Sequence, residues 1–539
     1  MLINKTRNIF HYMKIDKIKN VFGNFKEKLL SPFKQDFYYF LLQWIVFSCP
    51  VCIFNVLLGN YIYALYVMLC CYLMTYMLAF FLGLSRKIGI FFRGLIYAFS
   101  SIYMIVVLYC FFVYGGSFYN DLGQIIAGTN QHEIKEYLQT FISWKEILWF
   151  VGVGTGCTFA YIGAISTKMK NHHIWKASFV VLLLAIGALC HNPMVLHDVW
   201  TSYTFVWRFQ SEQVVDLREH MTHPQVSKSG SSCPETIVII IGESFSASHS
   251  SLYGYKKLTN PCLEQKQKHG SLIVFNQVQS PCCYTTEVFK YILNTKLVDV
   301  EEKEPWYDYP NIIEVAHNMS YYCSWFSCQE ETGLFDNLPS SFSKLCDESH
   351  FLERDAVGNK YDGGLSNLHP KKNHRMNMIF YHLMGQHESF RSRYPNEFEQ
   401  FRKEDYENFP EHQRDILASY DNATLYNDYV VNAIMDLYQN KDAVVFYFSD
   451  HALDIFNTDS NYFGHAKMNE KSQTVGKQIP FIIYTTPIFQ ENHAVMVERM
   501  KSAVNSPFNT DKLIYAVMDI ANYRFANNDD VSKYSPFRN

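Results

Sequence analysis

The chain has 539 residues, which as a length alone corresponds to roughly three or four domains of ordinary size. It is 48% hydrophobic and 17% aromatic but only 18% charged, which excludes a disordered chain, and 25 Gly with 17 Pro exclude a collagen-like one. The net charge of −4 and a sequence pI of about 6.6 argue against nucleic acid as a partner, and a mean hydropathy of −0.10 is too polar for a chain lying wholly in a bilayer.

Residues 1–36 form a basic leader with Lys5, Arg7, Lys14, Lys17, Lys19, Lys26, Lys28 and Lys34 against three acids. Five stretches free of Asp, Glu, Lys and Arg follow near 37–59, 62–84, 94–115, 147–167 and 177–197. Each is long enough to cross a hydrocarbon core of about 30 Å as a helix. The leader, Arg86, Lys87 and Arg93, and Lys168, Lys170 and Lys176 fall on alternate connections, which places them on the cytoplasmic side. The loop 116–146, with Lys135 and Lys145 against Asp121, Glu133, Glu136 and Glu146, belongs outside, and so does everything after about residue 200. His191, near the outer end of the fifth span, is the only candidate for an ionisable relay in mid-membrane, so the spans read as an anchor rather than a conduction path. Residues 198–232 read as a linker. Trp200, Phe205 and Trp207 fit either a helix in the membrane interface or an ordinary amphipathic one.

From residue 235 short β-rich runs alternate with helical patterns, as in a mainly parallel α/β sheet. The run 236–242 is followed at once by Glu243 and Ser244. The run 271–275 leads through Ser280-Pro-Cys-Cys-Tyr284 to Thr285, where a helix begins. The run 376–383 is followed by Met384-Gly-Gln-His387, and 443–448 by Ser449, Asp450 and His451; Gly464-His465 precedes a last run at 479–484. In open α/β sheets ligands bind beyond the carboxyl ends of strands, where these sets fall. A single Asp-His there is as readily a turn, and a Thr opening a helix is usually a cap; their coincidence at equivalent positions points to a site. Carboxylates and imidazoles without ordered Cys pairs suit Zn²⁺ or Mn²⁺ with an open coordination position. A metal would also make the Thr285 hydroxyl a competent nucleophile by stabilising its deprotonated form. Seven cysteines lie in or beside the spans and seven beyond them, and Cys323–Cys328 is a candidate local disulfide beside the simpler reading of buried thiols.

In combination, Ile241-Gly-Glu-Ser244, Ser251-Leu-Tyr-Gly-Tyr255, Thr259-Asn-Pro261, Tyr284-Thr285, Met384-Gly-Gln-His387, Tyr420-Asp-Asn422 with Leu425-Tyr426, Ser449-Asp-His451 and Gly464-His465 resemble the membrane-anchored phosphoethanolamine transferases of Gram-negative bacteria. The resemblance covers nearly the whole chain. It implies a five-helix transmembrane domain (37–197), an interfacial linker (198–232) and a periplasmic catalytic domain (233–539) with an alkaline phosphatase/sulfatase-like fold. It implies Glu243, Thr285, Asp450 and His451 as ligands of one or two Zn²⁺ ions, with Thr285 the nucleophile. His387 and His465 would handle the substrate phosphate or the leaving group. Thr129 and Glu133 match a Thr-x-x-x-Glu pattern for the phosphatidylethanolamine head group, although a helix cap explains that pair equally well.

The implied reaction moves phosphoethanolamine from phosphatidylethanolamine onto lipid A, a lipopolysaccharide core sugar or another envelope glycan, releasing diacylglycerol in the inner membrane. The chain departs from the family pattern where Ser-Asp-His is followed by Ala452-Leu453-Asp454 instead of Gly-Glu, and where Ile125 replaces an Asn before the loop Thr. Within the fold, the alternatives are a phosphoglycerol transferase or a phosphodiesterase delivering to water. Outside it, the alternative is a receptor whose outer domain only binds.

Overall fold

A computed structural model describes residues 27, 29–34, 37–57, 59–83, 86–114, 134–136, 138, 142–167, 174–197, 199–200, 215–230, 232–301, 303–331, 338–354, 360–371, 374–460, 462–465 and 470–537. The chain divides into two compact units, Met1–Leu122 with Ile142–Val206, and Gly123–Phe141 with Trp207–Asn539.

The first unit contains helices at the five apolar stretches: α1 (Phe37–Leu57), α2 (Tyr61–Gly83), α3 (Arg86–Tyr114), α4 (Trp144–Ser166) and α5 (Ile174–His191). The segments Tyr61–Leu82, Gly89–Cys110 and Trp144–Ser166 are long and apolar enough to cross a membrane, while Phe37–Ile53 and Lys176–His191 are shorter apolar helices. Ser143 and Glu146 close a capping box at the start of α4. Packing is aromatic: Phe33 meets Phe40, Tyr72 and Tyr76 at ring distances of 5.3, 6.4 and 5.2 Å. A buried amide among such residues needs a partner, and Gln43 Nε2 finds one by donating to Ser100 Oγ at 2.9 Å, joining α1 to α3.

The second unit is organised by a seven-stranded sheet. Its strands are β1 (Thr236–Gly242), β2 (Leu272–Phe275), β3 (Tyr322–Ser327), β4 (Glu348–Phe351), β5 (Asn377–His382), β6 (Ala443–Ser449) and β7 (Phe481–Thr485). Their order is β2-β7-β6-β1-β5-β3-β4. Pairings from β6 through β4 are parallel and β7 alone runs against its neighbours, so the sheet is mainly parallel, as expected, with one reversed strand.

β1 shows why these residues form a central strand. Every residue of Thr-Ile-Val-Ile-Ile-Ile-Gly is buried, as expected of a strand covered on both faces. Ile237, Ile239 and Ile241 enter one core with Val288, Phe289 and Ile292 of α6 (Thr285–Ile292). Val238 and Ile240 enter the opposite core with Ala423, Tyr426, Val430, Val431 and Ile434 of α7 (Glu411–Asp436). Each such side chain contributes about 1.5–3 kcal/mol by leaving water. The expected disulfide does not form: Cys323 and Cys328 are buried free thiols. Cys323 lies inside β3 and Cys328 just past its end, and five extended steps separate their Cα atoms by roughly 16 Å, against the ~7 Å a disulfide can span.

Candidate active site

Strand register brings the distant ligand-type residues together. Gly242 pairs with Ser449 across β1 and β6, and Ile241 with His382 across β1 and β5, so the chain leaves all three strands at one edge. Glu243, Asp450 with His451, and the segment 384–387 are the residues that follow. The turns are then fixed by backbone bonds: Asp450 N donates to Gly242 O at 3.0 Å and Gln386 N to Glu243 O at 2.9 Å.

Thr285 supplies the centre of the cluster. It is the first residue of α6, and Val288, Phe289 and Ile292 bury that helix in the core. Its Oγ1 donates toward Asp450 Oδ2 at 2.8 Å and Glu243 Oε2 at 3.0 Å, and lies 3.4 Å from His451 Nε2. His451 Nε2 is 3.2 Å from Glu243 Oε1 and 3.6 Å from Asp450 Oδ2. Glu243, Asp450 and His451 are 2%, 1% and 1% exposed, so water does little to offset their charges. Burial pushes Asp450 up, and the Glu243 charge adds to it, to about 7. Burial works against a charged His451, yet Asp450 and Glu243 raise it to about 9. Burial also penalises Glu243, but His451, His387 and the Ser244 hydroxyl hold it well below the usual carboxylate range.

The donor set fits a metal. Bonds of about 2.1 Å to a tetrahedral ion place ligand atoms about 3.4 Å apart, and the contacts above run from 2.8 to 3.6 Å. One ligand atom each from Glu243, Asp450 and His451 falls within 4.8 Å of the others. His451 Nδ1 lies 3.1 Å from the Ala452 carbonyl, which calls for the proton on Nδ1 and leaves the Nε2 lone pair for a metal. Ser244 N and His451 N both donate to Asp450 Oδ1, at 3.2 and 2.6 Å, so Oδ2 is the oxygen turned to the cluster. Two buried carboxylates beside one imidazole leave the group short of positive charge, a need that a divalent cation meets. A second group among the described residues, His317, Cys323 and Asp347, is a strand-end ion pair in which Asp347 Oδ2 already accepts from Cys323 N at 2.7 Å and lies 3.1 Å from His317 Nε2.

His387 and His465 border the cluster. The rings of His465 and His451 lie 4.7 Å apart, and burial together with the His451 charge holds the His465 imidazole well below its ordinary value. Among the described residues, Nδ1 of His387 and Nδ1 of His465 have no hydrogen-bond partner, so each ring retains a group for a ligand. The His387 loop packs hard on Glu243. Gly385 has φ +50°, and a Cβ there would lie 2.6 Å from Glu243 O and 2.9 Å from Glu243 N. Gly385→Ala is therefore expected to cost about 2 kcal/mol or more and to displace Glu243. Thermal unfolding and metal content of the variant, measured together, check both effects.

Thr129 and Glu133 lie outside the described residues, as do most of the basic leader and Phe205 with Trp207 of the linker. Asp454 does not replace the missing Glu: its carboxylate accepts from Asn457 N, Thr458 N and Thr458 Oγ1, closing a local turn. The motif at 420–422 supports the site from behind. Tyr420 Oη donates to Ser244 O and accepts from Ser246 N, both at 2.8 Å, while Asp421 gathers His249, Tyr255 and Tyr406. Ser449, at the end of β6, accepts from Phe245 N at 2.8 Å through its Oγ. Three contributors escape the sequence reading: Gln329 Nε2 donates to Glu243 Oε2 at 3.3 Å, Asp362 accepts from Met384 N and Gly385 N, and Arg393 holds the His387 loop. None of the three carries a motif, and each is brought to the site from elsewhere in the chain.

A half-buried Thr at a helix start within a carboxylate–imidazole cluster, at the carboxyl edge of this sheet, defines a class. The sulfatase family profile matches residues 235–523, more than half of the chain, and the chain belongs to that family. It is 26% identical over 462 residues to phosphoethanolamine transferase EptC of Escherichia coli, covering 76% of this chain and 77% of that one. The membrane-protein structure of lipooligosaccharide phosphoethanolamine transferase A (EptA) from Neisseria meningitidis superposes with a TM-score of 0.60 at 16% identity, over 92% of this chain and 95% of that one. The C-terminal periplasmic domain of E. coli EptC, in complex with Zn, superposes with a TM-score of 0.51 at 23% identity, over 58% of this chain and 89% of that one. Within the sulfatase family, the chain is a transferase of the membrane-anchored phosphoethanolamine transferase group.

Proposed function

We propose that this enzyme takes phosphoethanolamine from phosphatidylethanolamine onto Thr285 and passes it to lipid A, a lipopolysaccharide core sugar or a related envelope glycan. The observation that carries the reading is the position of Thr285 Oγ1, 2.8–3.4 Å from Asp450, Glu243 and His451. Glu243, Thr285, Asp450 and His451 would hold Zn²⁺, which when bound stabilises the deprotonated Thr285 oxygen and draws charge from the phosphoryl oxygens.

Thr285 Oγ attacks phosphorus in line, the bond from phosphorus to the glycerol oxygen breaks, and diacylglycerol leaves once that oxygen is protonated. An acceptor oxygen then attacks the same phosphorus, its proton is lost, and Thr285 Oγ is released. His387 and His465, each with a ring nitrogen to offer, bind the non-bridging oxygens and carry protons to and from the leaving and entering oxygens. Two in-line steps leave the configuration at phosphorus unchanged overall. Five membrane crossings with a cytoplasmic leader would put this site in the periplasm. Thr129 and Glu133, on the loop between the third and fourth crossings, would meet the ethanolamine head group, the carboxylate facing its ammonium.

The reading is supported by the EptC and EptA likenesses and by the Zn-bound EptC domain. Its test is diacylglycerol release from labelled phosphatidylethanolamine by wild type and by chelated protein. Release by the metal-loaded wild type alone is expected. Release from phosphatidylglycerol and not from phosphatidylethanolamine would replace the donor with the phosphoglycerol one.

A further inference from the structure

Arg393 joins two segments that the reaction scheme above leaves unconnected. Its side chain is 4% exposed, and its guanidinium donates in two directions. On one side Nε donates to the carbonyl oxygens of His387 and Glu388, each at 3.2 Å, and Nη2 to Glu388 O at 2.9 Å. On the other, Nη2 pairs with the Glu136 carboxylate, itself 9% exposed. Glu136 lies 257 residues earlier, in helical backbone at Ile134–Glu136 that belongs to the same compact unit as the sheet.

The segment that Arg393 holds is the one bearing His387. Its amino end is pinned separately, since Asp362 accepts from Met384 N and Gly385 N at 2.8 Å each. Arg393 is therefore the tether at the carboxyl end, and its orientation is set by Glu136. A buried ion pair is by itself weak evidence for stability. Here the planar fork satisfies a carboxylate and two backbone carbonyls at once, a geometry that an ammonium group cannot reproduce. In sequence, Glu136 follows Glu133 by three residues and Thr129 by seven.

We propose that Arg393 is a positioning residue: held by Glu136, it fixes the His387 backbone, so that seating of Ile134–Glu136 and readiness of His387 are one event. The kinetic arm of the test rests on the phosphatidylethanolamine reading; the exchange arm does not. Full-length protein in phosphatidylethanolamine vesicles is assayed for diacylglycerol release, and hydrogen exchange is followed by mass spectrometry over 134–138 and 384–393.

Glu136→Gln and Arg393→Lys are each expected to lower kcat roughly 10- to 100-fold with KM unchanged within about twofold, as for a catalytic group displaced by a fraction of an ångström. Each should also speed exchange in both segments, and Glu136→Asp should recover most of the lost turnover. Faster exchange only in the segment carrying the substitution, or unchanged kcat in both variants, would overturn the proposal. Wild type that releases no diacylglycerol would end the donor reading, while the exchange result would still decide whether the two segments are coupled.

Discussion

Thr285→Ala protein is expected to fold, bind its metal and transfer no phosphoethanolamine, with a fall of roughly 10⁴-fold or more in diacylglycerol release. The fold should survive because the helix does not lean on this side chain: Tyr284 occupies the cap position and no side-chain cap bond is made there. Helix packing comes from Val288, Phe289 and Ile292, so the stability change should stay within about 1 kcal/mol. Activity has no such reserve, since Ala leaves no oxygen between Asp450 and Glu243 to attack phosphorus. Thr285→Ser keeps the oxygen but loses the methyl group that restricts χ1, and should retain activity on the order of 10-fold below wild type. Parallel assays of release and metal content check the three proteins.

Asp450→Asn separates metal binding from folding. The Asp450 Oδ1 atom accepts the Ser244 and His451 amides, and the Asn carbonyl can do the same, so the turn is kept. The Asn amino group then points where Oδ2 was, toward Thr285 and His451, and offers hydrogens where a ligand needs a lone pair. Zn²⁺ affinity is expected to fall by roughly 100-fold or more. Metal that binds only the folded state at about 100 times its dissociation constant adds about 2.7 kcal/mol to stability. Added Zn²⁺ should therefore raise the melting temperature of wild type and leave that of Asp450→Asn nearly unchanged, which a thermal melt with and without the ion measures.

The parts of the site legible in the sequence are those that adjoin buried strands. Thr236–Gly242 and Ala443–Ser449 announce themselves as Ile- and Val-rich or aromatic runs, and Glu243 and Asp450 follow them directly. The order of the strands was not legible, because β1 lies between β6 and β5, which come far later in the chain. β3 and β4 escaped notice for a different reason. Tyr-Cys-Ser-Trp-Phe-Ser mixes polar and aromatic residues, and Glu-Ser-His-Phe, at the sheet edge, keeps half-buried or exposed side chains, so neither reads as an apolar run. Of the two readings the cysteine spacing allows, the buried thiols are the ones found, because an extended strand separates Cys323 from Cys328. The Arg393–Glu136 pair had no local signature, since each residue alone is an ordinary charge in a polar stretch.

The central claim is that phosphoethanolamine rests on Thr285 between donor and acceptor. Its most direct test is peptide mass spectrometry of metal-loaded protein incubated with phosphatidylethanolamine and no acceptor. The expected result is one phosphoethanolamine group on the peptide carrying Thr285, lost when acceptor is added and not formed in Thr285→Ala. Steady release of diacylglycerol with Thr285 unmodified at every time, or modification that persists unchanged through acceptor turnover, would contradict the account.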